Sequence, residues 1–203
     1  MDKIKAVIFD VGNVILFYNN MLAARPMSKI IKKDPKKIFR ILDHSRSKFT
    51  SVYEKGASRD KYWSIMAKQL GVSKIPGKKF DNLWSQIFSP NKKLISFSKD
   101  LKKKGYKIAL LSNTGHIHVS KFEKKYKLWK VFPVRVYSCD IKKRKPGKEI
   151  YLFTLKKLKV KPEETIFIDN QIENVRAAKR LGMHSVLFKN NKQTIKSIKD
   201  LLK

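Results

Sequence analysis

Short apolar runs alternate along much of this chain with longer stretches in which apolar residues recur every three or four positions. Residues 4–9 form a β-branched apolar run that ends at Asp10 and predicts a buried strand. Similar runs at 107–111, 132–137, 165–168 and 184–188 predict further strands. Helical spacing fills the gaps between several of them. Residues 92–104 are followed by Gly105, and residues 172–181 by Gly182, each glycine suited to end a helix. Residues 148–158 carry Ile150, Phe153, Leu155 and Leu158 near one helix face. Strands alternating with helices of this length predict an α/β fold: a Rossmann-like parallel sheet with helices on both faces.

Between residues 18 and 89 the strand pattern disappears. Asp34-Pro35 reads as an N-cap with proline in the first turn. Ser58 is placed to cap a helix that runs to Leu70 and stops at Gly71, and Pro76-Gly77 marks a turn before a helical pattern over 80–88. The expectation is a small all-helical cap, residues 18–89, inserted after the first strand of a core made from residues 1–17 and 90–203. Ligands in open α/β sheets bind at the carboxyl ends of the strands, so such an insertion would roof the site.

Composition changes this picture little. With 203 residues, 42% hydrophobic and 11% aromatic, the chain has enough apolar material for a sizeable core. No run of about eighteen apolar residues predicts a membrane span. The first residues lack the pattern of a secretion signal. The single cysteine, Cys139, excludes an internal disulfide and suits a reducing cytoplasm as a residue at the edge of the core. The formal net charge of +32 would suit a polyanion, but lysine outnumbers arginine about five to one and is spread along the whole chain. Specific recognition of nucleic acid leans on arginine and on clustering, so no specific nucleic-acid partner is expected, only non-specific binding at low salt. No membrane partner is expected either, and the chain is expected to be a monomer.

The candidate chemistry sits at predicted strand ends: Asp10 after the first, Ser112-Asn113-Thr114 after the second, Lys145 in a loop, and Asp169-Asn170 after the fourth. Each alone is an ordinary cap or turn residue. Together they form a constellation. Phe9-Asp10-Val11-Gly12-Asn13-Val14 resembles motif I of the haloacid dehalogenase superfamily. Leu110 to Thr114 is similar to motif II, Arg144-Lys145-Pro146 to motif III, and Phe167 to Val175 to the acidic motif IV. The helical insertion matches the family's small cap, and Tyr53-Glu54-Lys55-Gly56 resembles a cap segment of its sugar-phosphate phosphatases. The nearest likeness is to phosphatases of the glucose 1-phosphate type.

This resemblance implies a phosphatase-type hydrolase that removes phosphate from a small phosphorylated metabolite. Asp10 would be the nucleophile, and Lys145 the catalytic cation that also binds the phosphoryl group with Ser112 and Asn113. A Mg²⁺ ion would be held by Asp10, the Gly12 carbonyl, Asp169 and Asn170. Two positions depart from the family pattern. Gly12 stands where most members place a second aspartate that serves as general acid–base, and Asn170 stands where another carboxylate is usual. A catalytically weak relative that binds a phosphate ligand or a protein partner is therefore an alternative. So is a metal-independent 2-haloacid dehalogenase. Glu54, His116 and His118 read as exposed, and Phe17, Tyr18 and Trp63 as packing residues.

Overall fold

The computed structural model describes residues 3–43 and 48–203. Met1 and Asp2, in the expected core, and residues 44–47, in the expected cap, lie outside the described residues. In chain order the elements are β1 (Ala6–Phe9), β2 (Leu16–Tyr18), α1 (Met21–Ile31), α2 (Pro35–Asp43), α3 (Lys48–Glu54), α4 (Arg59–Leu70), α5 (Gly77–Trp84) and β3 (Phe88–Pro90). There follow α6 (Lys92–Lys103), β4 (Lys107–Ser112), α7 (His116–Tyr126), β5 (Val134–Tyr137), α8 (Ser138–Ile141), α9 (Lys148–Leu158), β6 (Thr165–Asp169), α10 (Ile172–Arg180), β7 (His184–Leu187) and α11 (Asn191–Leu201).

Five strands form one parallel sheet in the order β5-β4-β1-β6-β7. Continuous apolar runs form its centre because both faces are covered. Val7, Phe9, Ile108, Leu110, Ile166 and Ile168 pack into one core layer. Their sequence neighbours Ala6, Ile8, Ala109, Leu111 and Phe167 pack into the other. The two-residue period of a strand thus assigns every second side chain to the opposite layer. β1 lies between β4 and β6, with Phe9 opposite both Leu110 and Ile168. The chain therefore leaves the sheet in opposite directions on either side of β1, which opens a crevice at the strand ends. Asp10, Ser112 and Asp169 all fall at its mouth.

The chain leaves β1 through a tight turn. The Val11 carbonyl accepts from the N–H groups of Ile15 and Leu16 at 3.0 and 2.8 Å, and Asn13 takes a left-handed φ of 57°. It then forms an antiparallel ribbon of β2 with β3, in which Leu16 pairs with Pro90 and Tyr18 with Phe88. The hydropathy pattern did not reveal this ribbon, because three-residue strands are too short to show a period. Between its two strands the described elements are all helices, α1 to α5, joined by short turns. The inserted helices build their own core around Phe49, Tyr53, Tyr62, Trp63, Phe80 and Trp84, all buried. The caps follow the sequence: Asp34 Oδ1 accepts from the Lys36 N–H, and Ser58 Oγ from the Lys61 N–H. The final helical pattern of the insertion is displaced, with α5 ending at Trp84 so that Phe88 can join the ribbon.

Candidate active site

The sheet ends converge on a buried charge cluster. Lys145 Nζ donates to Asp10 Oδ1 at 2.7 Å, to Asp169 Oδ2 at 2.6 Å and to the Leu111 carbonyl at 2.9 Å. The lysine side chain is 1% exposed and the Asp169 side chain 0%. Burial opposes the charge on Lys145, yet the two carboxylates and their hydrogen bonds hold its pKa above the ordinary lysine value. Burial pushes the Asp10 carboxyl up to about 6; Lys145 counteracts this and Asp169 adds to it. The physical state is one ammonium ion between two carboxyl groups.

Asn113 fixes the lysine from behind. Its Oδ1 accepts from the Lys145 N–H at 2.8 Å and its Nδ2 donates to the Lys145 carbonyl at 2.9 Å. The side chain thus locks the backbone of the loop that delivers Lys145, while Ser112 and Thr114 line the cavity beside it. On the β6 side, Asp169 Oδ1 accepts from the Gln171 N–H at 2.8 Å. Its Oδ2 accepts from Asn174 Nδ2 at 3.0 Å as well as from Lys145. Asp169 therefore underpins the cluster, whereas Asn170 is the motif IV residue that lines the cavity. Asn174 has no role in the motif reading. The signal for it was its place in the Asn-Val tail of the motif IV match.

The inserted helices roof the cavity, which has a volume of about 120 Å³. Glu54 lines it at the end of α3 with only 15% of its side chain exposed, and its Oε2 accepts from Arg144 Nη2 at 2.5 Å. The sequence reading placed Glu54 at the surface; the fold buries it against motif III. Ser138 Oγ donates to the Glu54 carbonyl at 2.7 Å and accepts from the Thr114 N–H at 3.0 Å, joining cap to core. Two glycines permit this contact. A Cβ on Gly115 would lie 2.2 Å from the Tyr53 ring, and one on Gly56, at φ 76°, would lie 2.5 Å from the Cys139 carbonyl oxygen.

His118, also expected at the surface, is buried against Tyr53, Trp84 and Phe88, and burial depresses its pKa to about 3. A neutral ring in the cavity wall results. His116 is exposed as expected. Cys139 is buried, as expected of a residue at the edge of the core. Trp63 packs in the cap core, Phe17 is 40% exposed, and Tyr18 lines the cavity instead of only packing. A Cβ on Gly12 would meet the Tyr18 ring at 3.3 Å and Asp10 Oδ2 at 4.0 Å. The space beside the missing motif I side chain is thus partly occupied by Tyr18.

A family model described as haloacid dehalogenase-like hydrolase matches residues 27–188. The chain belongs to this family. Among curated relatives of this haloacid dehalogenase-like hydrolase is the sesquiterpene phosphatase of Aspergillus oryzae, 25% identical over 98% of this chain and 96% of the relative. The phosphorylated carbohydrates phosphatase of Thermotoga maritima is 29% identical, over 51% of this chain and 48% of that protein. A solved structure of a predicted HAD-like family hydrolase from Porphyromonas gingivalis superposes with a TM-score of 0.80, at 25% identity and 98% coverage of both chains. A HAD family enzyme from Bacteroides thetaiotaomicron, in complex with magnesium and inorganic phosphate, gives a TM-score of 0.76. It is 23% identical and covers 92% of this chain and 94% of its own. Among the described residues no helix is long and apolar enough to cross a membrane.

Proposed function

We propose that this hydrolase is a Mg²⁺-dependent phosphatase of small phosphorylated metabolites, sugar phosphates among them, acting through an aspartyl-phosphate on Asp10. The observation that carries the reading is the placement of Asp10 in a cavity roofed by the inserted helices, with its carboxylate held by Lys145. Hydrogen bonding to the ammonium fixes one carboxylate oxygen and the orientation of the group. Asp10 attacks phosphorus, and the bond to the leaving oxygen breaks. Lys145 stabilises the charge that gathers on the phosphoryl oxygens, which Ser112 and the Asn113 backbone N–H also contact.

The donor set fits Mg²⁺. Asp10 and Asp169 bring two negative charges against the single positive charge of Lys145, so the cluster has room for a further cation. Asp10, the Gly12 carbonyl and Asn170 would supply hard oxygens from the cavity lining, with Asp169 behind them as the group that positions Lys145 and Asn174. When bound, the ion neutralises phosphoryl charge. With an amide at Asn170 in place of a carboxylate, it binds more weakly than in relatives with the full acidic pair.

Cavity size supports a compact substrate. A cavity of about 150 Å³ holds a benzene-sized molecule, and the 120 Å³ here suits a phosphoryl group with a short leaving group. The test is a panel of phosphate esters assayed with Mg²⁺ and with chelator, for the native protein and Asp10→Asn. The expected result is turnover that needs both the metal and the Asp10 carboxylate. Full activity of D10N on an activated aryl phosphate would overturn the assignment.

A further inference from the structure

Gly12 leaves the phosphatase reading without a proton donor. An aspartyl-phosphate route must still protonate the departing oxygen and later take a proton from water. The groups around the cavity narrow the choice. Lys145 is committed to two carboxylates and a carbonyl. Asp169 lies buried beneath the floor with both oxygens bonded. Burial pushes the Tyr18 hydroxyl up to about 12, with Asp43, Asp10 and Glu54 adding to the rise, so it is too weak an acid near neutral pH. His118 is held neutral among aromatic rings.

Glu54 remains. Resting on the phosphatase reading above, we infer that Glu54, delivered from α3 into the cavity, is the catalytic acid–base in place of the side chain absent at Gly12. Contacts from distant parts of the chain fix its position: Arg144 holds Oε2 and Ser138 Oγ donates to its carbonyl. Gly56 turns the chain two residues after it, and Tyr53 before it accepts from the His118 N–H at 3.1 Å. A solvated surface carboxylate has no need of such positioning. Tyr18 partly fills the space beside Gly12, so an acid must enter from the cap side instead.

The charged groups facing Glu54 are Arg144 and Lys145 from the motif III loop and Asp10 from the end of β1. Burial raises its pKa to about 6 against the lowering effect of Arg144 and Lys145, within the range a group needs to give and take protons near neutral pH. In the first step an Asp10 oxygen bonds to phosphorus, the bond from phosphorus to the leaving oxygen breaks, and the Glu54 proton passes to that oxygen to yield a neutral alcohol. In the second, a water oxygen bonds to phosphorus while one of its protons returns to Glu54, and the Asp10–phosphorus bond breaks. Inorganic phosphate leaves, and the enzyme regains protonated Glu54 and ionised Asp10.

The experiment compares two substrates that differ in their need for the acid, 4-nitrophenyl phosphate and benzyl phosphate, with the native protein, Glu54→Gln and Glu54→Asp. A nitrophenolate departs without protonation, whereas benzyl alkoxide does not. The expected result is a loss of about 10²–10⁴-fold in kcat/KM for E54Q on benzyl phosphate, a loss below about tenfold on 4-nitrophenyl phosphate, and partial recovery of the benzyl activity in E54D. Equal losses on both substrates, or unchanged benzyl turnover in E54Q, would overturn the assignment while leaving the phosphatase reading intact. A second measurement needs no variant: the native rate across a series of aryl phosphates should fall only shallowly as the leaving group becomes more basic, and a steep fall overturns the proposal. If the native protein with Mg²⁺ hydrolyses neither ester, the phosphatase reading fails and this inference with it.

Discussion

Replacing Lys145 by methionine would test the charge cluster directly. The substitution keeps an unbranched side chain but removes the ammonium that Asp10, Asp169 and the Leu111 carbonyl all share. Removing one partner of a buried ion pair costs about 3–5 kcal/mol. Two carboxyl groups and a carbonyl lose their donor here, so a loss of about 4–5 kcal/mol is expected on that scale. For a chain of this size each kcal/mol lowers Tm by about 2–4 °C, giving a fall of about 8–20 °C. The sign of the pH dependence follows from the carboxyls. Burial already raises Asp10 to about 6 in the presence of the cation, and without the cation its folded-state value rises further above the unfolded one. A group with a raised folded pKa binds more protons folded than unfolded, so stability falls as pH rises through that interval. The K145M deficit should therefore be small near pH 5 and largest above pH 7. Thermal melts of native and variant protein at pH 5 and pH 8 measure it. A deficit below about 1 kcal/mol at pH 8, far under the buried-pair scale, or one equal at the two pH values, would refute the description of the cluster.

Two further outcomes follow from the site. Gly115→Ala places a methyl group 2.2 Å from the Tyr53 ring, so the cap must shift. Loss of hydrogen-exchange protection in α3 and the start of α7 is expected, with a stability cost of about 1–3 kcal/mol as for other overpacked sites. Asn170→Asp restores a carboxylate where the cavity meets Asp10. Mg²⁺ affinity measured by calorimetry should rise roughly tenfold, because added ligand charge tightens sites for hard cations, and unchanged affinity would remove Asn170 from the metal site.

Local pattern alone made the core of this protein legible. Runs such as 165–168 are too apolar for a half-exposed strand and too short for a helix, so they specify a doubly covered parallel sheet. Strand ends then put Asp10, Ser112 and Asp169 on one edge. Lys145 was recognisable only from its neighbour Pro146 and the order of the motifs, since a lysine in a basic loop otherwise reads as solvated. The loss of side chains at Gly12 and the change of charge at Asn170 were also plain in the sequence. Tertiary structure alone decided what surrounds them. Glu54 meets Arg144 across 90 positions of chain and Tyr53 meets His118 across 65. No period of two or of 3.6 encodes such a meeting. The direction taken by Asp169, towards Lys145 and Asn174 and away from the cavity, also depends on packing against other elements. A residue's type sets what it can do, but burial against distant partners sets whether it is charged, where it points and whether water reaches it.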